Sequence, residues 1–396
     1  MRLAVLTSRV IPHVEADVEQ MVRTAEALAG RGAFDLRVLY SAPREVDGAA
    51  TAGAIERAYG VRLAARHLHP VAPWIDAPAA FRAATSQRAA GPQWVADAAL
   101  ARPIARALGG LAPDIVLSRR WPLAAIASRL GIPTIYETHS PAHAAALCRV
   151  GRTMGWRGVV AHSDCVRDGY VEAGWPAESI RVIRNGYDPC AIASSGTKAE
   201  ARARLGLPAA IRLACYAGRL NAKKQPEVLI RAAAAMPEVT VVLVGVVGEG
   251  ERTALAEYAA SLGAHNVRVE RRVEPSAAMD YLVAADVLLL TPASGPLASG
   301  RTVLPLKTYQ YLGAGRPIIA PATPDLCEVL EHGRNAWLVP PDDPVAAAEA
   351  VRRVLADPGL SERLIAGALA TAPAFTWAAR ADALETFIRE RCARAA

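Results

Sequence analysis

Paired cysteines are missing from this chain. Its six cysteines, Cys148, Cys165, Cys190, Cys215, Cys327 and Cys392, are scattered, with no Cys-x-x-Cys pair. That argues against a zinc site or dithiol redox chemistry and for reduced thiols in a cytoplasm. Long apolar runs are missing too: no uncharged stretch reaches the roughly 18 residues of a membrane-spanning helix. The N-terminal Met1-Arg2-Leu3-Ala4-Val5-Leu6-Thr7 is too short an apolar run for a secretory signal, and no small-residue cleavage site follows it. It reads as a strand. Zinc-finger spacing and an aromatic cluster that could stack on RNA are both absent, so nucleic acid is not an expected partner. Internal repeats and low-complexity segments are lacking as well.

What is present is apolar and alanine-rich. Hydrophobic residues make up 52% of the 396, so the chain is globular, and its length favours two or three domains, each able to bury a core. The formal net charge is +7. Such an excess favours anionic partners, namely phosphorylated substrates, a lipid surface or nucleic acid, the last lowered by the missing motifs. Because the arginines are spread through mixed-sign helices, a solvated surface is the competing explanation.

Short apolar runs alternate with longer helical patterns along the chain. In the first half, strands are predicted at 3–6, 36–39, 115–117, 134–136, 159–161 and 181–183, with helices at 16–31, 95–108, 123–130 and 166–173. A turn-rich break, Asn185-Gly186-Tyr187-Asp188-Pro189, and the polar Ser194-Ser195-Gly196-Thr197-Lys198 follow. The alternation then restarts, with strands at 212–216, 239–244, 267–269, 287–290, 317–320 and 336–339. Helices are predicted at 226–235, 253–260, 277–284, 307–312 and 345–355. This is the pattern of parallel sheets covered on both faces, in two α/β domains joined near residue 190. Ligands of such sheets sit at the C-terminal ends of the strands and in the cleft between domains.

Three places could carry chemistry. Pro305 to Pro317 reads as a helix stopped by Gly315 and Pro317. The small-residue stretch Ser299-Gly300-Arg301-Thr302 lies before it, as a helix-start anion site would. Arg219 and Lys224 follow the apolar run 212–216, where two fixed cations suit a diphosphate; Lys223 beside them reads as solvated. Glu137 and His139 follow the run 134–136, where a histidine can meet a sugar hydroxyl. His143, His162 and His332 read as structural or exposed.

These segments resemble the GT-B glycosyltransferases of family GT4. The matching pieces are Ile135-Tyr136-Glu137-Thr138-His139, Val182 to Asp188, Tyr216-Ala217-Gly218-Arg219-Leu220 with Lys224, Val242-Leu243-Val244-Gly245, Ala284 to Leu290, Pro305 to Pro317, and the closing Phe375-Thr376-Trp377. The resemblance implies two Rossmann-like doubly wound domains facing across a cleft. Residues 1–190 would bind the acceptor and 191–372 the nucleotide sugar, with a C-terminal helix at 373–396 packing back on the first domain. It implies a retaining, metal-independent transferase that needs no cofactor and uses a UDP- or GDP-sugar. The acceptor would be a glycan, a lipid-linked saccharide or a small molecule, and contact with the inner face of a membrane is compatible with the charge. His139, Arg219 and Lys224 would be catalytic. Gly218, Arg272, Gly300, Thr302, Val303, Leu304 and Gln310 would bind the nucleotide sugar, and Arg9, His13 and Glu137 would lie on the acceptor side.

The chain departs from the family pattern in three places. Where relatives carry a Glu-x7-Glu pair, it has Thr302 and Gln310. A glutamine still accepts a ribose hydrogen bond, without the charge-assisted strength. Where relatives often have a Gly-Gly step after the first strand, it has Ser8-Arg9-Val10, so Arg9 and His13 either reach toward substrate or belong to a capped surface loop. Gln225 replaces the usual glycine after Lys224. Two other readings stay open at this point: a nucleotide-sugar epimerase of the same fold, and a pseudoenzyme that binds nucleotide sugar or glycan without turnover. The segments 42–58 and 71–93 are expected to be acceptor-specifying loops.

Overall fold

A computed structural model describes residues 1–13, 15–74, 93–220, 224–290 and 304–393. The chain divides into two compact units, Met1–Asn185 with Trp377–Ala396, and Gly186–Thr376. The division therefore falls a few residues before position 190, inside the turn-rich break, and the chain returns to the first unit at the Thr376-Trp377 step.

The first unit is built on seven parallel strands: β1 (Arg2–Val10), β2 (Asp35–Ser41), β3 (Leu68–Val71), β4 (Ile115–Ser118), β5 (Thr134–Thr138), β6 (Gly158–Ala161) and β7 (Ile180–Val182). Their order is β3-β2-β1-β4-β5-β6-β7. Alternation explains why both faces are buried. Leu3 and Val5 enter one apolar cluster while Ala4 and Leu6 enter another on the opposite side. Helix Ala16–Arg31 and the C-terminal helix Trp377–Ala393 cover the first face, the latter through Ala381, Leu384, Phe387 and Ile388.

The second unit repeats the plan with β8 (Leu213–Leu220), β9 (Thr240–Val246), β10 (Val267–Arg271), β11 (Val287–Leu289), β12 (Ile318–Pro321) and β13 (Trp337–Val339), in the order β10-β9-β8-β11-β12-β13. Again the faces alternate: Leu213, Cys215 and Ala217 pack on one side, Ala214 and Tyr216 on the other. In each sheet the order reverses beside the first strand, between β1 and β4 and between β8 and β11. Such switch points open a crevice at the strand C-terminal ends.

Some sequence-based expectations are corrected. Segment 42–58 is not a loop: it holds most of helix Gly48–Tyr59, whose start is capped by Asp47 accepting from the Ala50 amide at 2.7 Å. Its small, alanine-rich composition hides the helical period. The edge strand β3 escapes prediction because Pro70 interrupts the apolar run; an edge position tolerates the missing N–H. Helices Ala144–Met154 and Pro358–Thr371 are further additions. Of the other supposed loop, residues 75–92 lie outside the described residues.

One backbone constraint is severe. Gly245, at φ +126°, places the site of a Cβ 2.2 Å from the carbonyl oxygen of Gly218 on the neighbouring strand. Gly245→Ala therefore meets both backbone strain and a backbone clash, and should destabilise the fold by roughly 2–4 kcal/mol. Gly250→Ala, in a helix with open space around it, should instead stabilise by about 0.5 kcal/mol. Urea unfolding of the two variants checks this; equal effects would refute it.

Candidate functional site

Two groups of polar residues stand at strand C-terminal ends, one in each unit. In the first unit the centre is Glu137 on β5. Its side chain is 3% exposed, and the single oxygen Oε1 accepts from Gln20 Nε2 at 3.0 Å, His162 Nε2 at 2.6 Å and Arg380 Nη2 at 2.9 Å. Arg380 arrives from the C-terminal helix and also donates to Thr24 Oγ1 at 2.9 Å and to the Ile183 carbonyl at 2.7 Å. Burial alone would raise the Glu137 carboxyl, but Arg380, His139 and His162 outweigh it and hold it well below the usual range.

His139 stacks on His162 with ring centroids 3.4 Å apart, and its Nε2 lies 3.5 Å from Glu137 Oε1. Nδ1 of His139 has no hydrogen-bond partner among the described residues, and Nε2 has only its long approach to Glu137. Burial, with help from Arg119 and His162, pushes His139 well below its usual value despite Glu137. Burial likewise lowers His162 to about 4, against the pull of Glu137. Both rings are thus neutral at pH 7. His162 then donates from Nε2, and His139 can offer one N–H and one acceptor to a hydroxyl.

Glu137, His139 and His162 present possible ligand atoms within 4.8 Å of one another. The arrangement does not suit a divalent cation. The carboxylate oxygen facing the rings is already saturated, and one of its donors is a fixed guanidinium whose charge would oppose the metal.

Beside this cluster runs a crevice at the β1/β4 switch, lined among others by Thr7, Asp17, Gln20, Arg119, Arg120 and Glu137. Arg119 donates to Gln20 Oε1 at 2.6 Å and to the Asp17 carbonyl at 3.1 Å. Arg9, near the end of β1, pairs with Asp17 at 2.9 Å. His13 is not on a surface loop: it is 6% exposed, with its amide donating to the Tyr59 hydroxyl at 2.7 Å and its Nδ1 accepting from the Glu15 amide at 3.1 Å. Glu137 is likewise inside, so it acts on its neighbours rather than presenting itself to solvent.

In the second unit, β8 does not end at Tyr216 as its apolar run suggests. It continues to Leu220 with a register slip between Ala217 and Leu220. The slip is a bulge that carries Gly218 at φ +143° and turns the exposed Arg219 outward. Lys224 follows, half-buried, ahead of helix Pro226–Ala234. Burial lowers the Lys224 ammonium; Asp325 acts against the shift and Arg219 with it, so the three lie within electrostatic reach. Gln225 occupies the left-handed region at φ +48°, which gives the physical reason a glycine suits that position in relatives.

Behind the bulge is Lys307, from helix Leu306–Gly313, 9% exposed. Its ammonium sits 3.5 Å from the centroid of the Tyr216 ring and hydrogen-bonds the Tyr216 hydroxyl. Gln310 is half-buried on the same helix, Leu304 is packed in the core ahead of it, and Arg272 is exposed just past the edge strand β10. Gly300, Thr302, Val303 and Lys223 lie outside the described residues. So does the rest of the small-residue stretch expected to bind an anion.

Sequence reasoning missed His162, Arg380 and Lys307. A signal existed for the last two. Arg380 is four residues before Leu384 on the apolar stripe of its helix, and Lys307 is four before Tyr311. A cation on a buried stripe requires a partner.

Two parallel sheets with these switch points define a GT-B fold. Solved structures of the same fold include sucrose-phosphate synthase from Thermosynechococcus elongatus, at TM-score 0.78 and 18% identity over the whole of both chains. Anabaena Alr3699/HepE in complex with UDP and glucose matches at TM-score 0.69 and 20% identity, covering 98% of this chain and 99% of that one. Residues 20–190 match Glycosyltransferase Family 4, and residues 197–370 match Glycosyl transferases group 1. The chain belongs to this glycosyltransferase family. Among curated relatives, the D-inositol 3-phosphate glycosyltransferase of Xylanimonas cellulosilytica is 31% identical over 65% of this chain and 66% of its own length. That of Thermobispora bispora is 32% identical over 55% of this chain and 52% of its own. The chain thus spans between about half and just under two thirds of the length of these relatives. No helix among the described residues is long and apolar enough to cross a membrane.

The histidine pair sets a pH dependence. Both rings stay neutral in the folded protein, while an unfolded chain protonates histidine near 6.5. The unfolded state therefore binds more protons below that pH, and stability falls as pH drops from about 6.5 toward 4. Glu137, depressed in the fold, extends the loss below about 4.5. His162→Gln, whose amide can still donate to Glu137, should make the decline between pH 6.5 and 4 shallower. Chemical unfolding across that range measures it; an unchanged slope would show that His162 is not the group titrating.

Proposed function

We propose that this protein is a retaining, metal-independent glycosyltransferase that moves a sugar from a UDP- or GDP-sugar to a saccharide, a lipid-linked saccharide or a small-molecule acceptor. The observation that carries the reading is the set of cations at the end of β8: Arg219 on the bulge, and Lys224 with burial and a like charge both working against its ammonium. A site of that kind gains most from an anion whose charge grows during reaction, as a leaving nucleoside diphosphate does. Two fixed cations can take the role a divalent ion plays elsewhere, so no metal or other cofactor is invoked.

The relatives' name, D-inositol 3-phosphate glycosyltransferase, and a structural neighbour solved in complex with UDP and glucose support the same class of donor and a small phosphorylated polyol among the acceptors. Arg119 in the first unit's crevice, which donates to the uncharged Gln20 amide and Asp17 carbonyl, fits such an anion, whereas Arg120 beside it is already paired with Asp97. His139, neutral and with Nδ1 unpartnered among the described residues, would meet a sugar hydroxyl. Gln310 would accept from the ribose, more weakly than the glutamate of relatives.

A thermal-shift panel of UDP, GDP, ADP and TDP in EDTA tests the donor site. One nucleotide should raise the melting temperature, because a ligand of the native state stabilises by mass action. No shift with any of them would sink the reading. Turnover is tested separately. Arg219→Ala should lower kcat by roughly 10²–10³-fold with the melting temperature preserved, since the side chain is exposed. A variant with near-normal kcat would remove Arg219 from the diphosphate site.

A further inference from the structure

Lys307 has no role in the donor chemistry proposed so far. It is a buried ammonium that pairs with no carboxylate among the described residues. The undescribed stretch 291–303 that precedes its helix contains neither Asp nor Glu. A buried cation without a counter-charge is costly, and a methionine would fill the same space at less cost. Its surroundings suggest what offsets that cost.

The ammonium donates to the Tyr216 hydroxyl, and that hydroxyl donates in turn to the Arg219 carbonyl at 3.1 Å. Gly218, the other residue of the bulge, lies so close that a Cβ there would be 2.8 Å from both Lys307 Cε and Nζ. Lys307 therefore touches one bulge residue directly and reaches the other through one hydroxyl. The charge that acts on it is that of Lys224, which is a like charge.

We propose that Lys307 is a positioning residue of the diphosphate site: from behind β8 it holds the Gly218–Arg219 bulge in place and brings a third positive charge to the bound diphosphate. The inference rests on the donor-site reading above. It accounts for the glycine at 218, which leaves room for the ammonium, and for a tyrosine rather than a phenylalanine at 216. Burial and Lys224 both disfavour the charged form. A bound diphosphate favours it, so whatever fraction of Lys307 is neutral at alkaline pH takes up a proton on binding. Lys224, lowered in the same way, can also take up a proton, so the signature of Lys307 is the part of the uptake that its replacement removes.

The test is isothermal titration of UDP and of GDP into the full chain at pH 8.5, in two buffers of different ionisation enthalpy. It compares the wild-type protein with Lys307→Met and Tyr216→Phe. The wild type should bind one of the two nucleotides with net proton uptake. K307M should bind it about tenfold more weakly and take up fewer protons, and Y216F should weaken binding severalfold while keeping the uptake. Wild-type affinity and uptake in K307M would overturn the inference and leave the donor site standing. Should K307M fail to fold, Y216F decides: unchanged affinity overturns the clamp, and weaker binding with uptake retained supports it. Failure of the wild type to bind either nucleotide would bring down the donor-site reading and this inference together.

Discussion

The first unit depends on one buried ion pair. Glu137 and Arg380 are 243 residues apart in sequence, yet both are almost fully buried and meet at 2.9 Å. Arg380 spends its remaining donors on the Thr24 hydroxyl and on the carbonyls of Ile183 and Arg184. A single guanidinium thus fixes β5, the end of β7, the first helix and the C-terminal helix to one another. Removing either charge would leave the other buried and unpaired, a loss of about 3–5 kcal/mol by the usual scale for such pairs. The apolar residues Leu384, Phe387 and Ile388 supply adhesion for the C-terminal helix. The ion pair supplies its register, because only one rotation of the helix presents Arg380 to the end of β5.

That pair also prepares the histidines. A carboxylate held ionised inside the protein would ordinarily invite protonation of any imidazole beside it. Here Arg380 takes the larger share of its charge, and burial keeps both rings neutral. His162 uses its N–H on the carboxylate and presents a ring face to His139, which fixes that ring by stacking. His139 is left with Nδ1 unspent, the condition for a group that must exchange a hydrogen bond with a substrate hydroxyl. The second unit treats charge in the opposite way. Its cations gather behind and around the β8 bulge, with Asp325 the carboxylate that acts on Lys224. The carboxylate charge of Glu137 is matched within the first site, while cationic charge is left in excess at the second.

Much of this was legible in the sequence, and the limits have physical causes. Among the described residues, twelve of the thirteen strands announce themselves as short, mostly apolar runs, because parallel strands buried on both faces carry little polar interruption. The thirteenth, β3, contains His69 and Pro70 and sits at an edge, where polarity is tolerated. Glu137, His139, Arg219 and Lys224 were visible because they follow directly on apolar runs, and strand ends are where these sheets act. Arg380 and Lys307 show only as cations on apolar stripes, and His162 only as a histidine after a strand, because the importance of all three lies in contacts between distant segments. A pattern of periods and spacings has no term for the partner of a buried charge. The bulge in β8 was hidden for a related reason: a glycine and an arginine after an apolar run look like a loop, and only pairing with β9 shows that the strand continues.

The bulge also shows why the small residues of this site come together. Regular pairing through Ala217 to Leu220 would leave Arg219 to the plain alternation of a strand. An irregularity of register turns it outward instead, at the cost of a left-handed backbone at Gly218. That backbone brings the Gly218 carbonyl so close to Gly245 that no side chain fits between them, so the neighbouring strand must also carry a glycine. The space freed on the other side of Gly218 is where the Lys307 ammonium lies. Two glycines, a tyrosine hydroxyl and a buried lysine are therefore consequences of one demand, that an arginine leave the plane of its strand at a fixed place. A change at any of them should be felt at Arg219 before it is felt in the rest of the sheet, since all four converge on two consecutive residues.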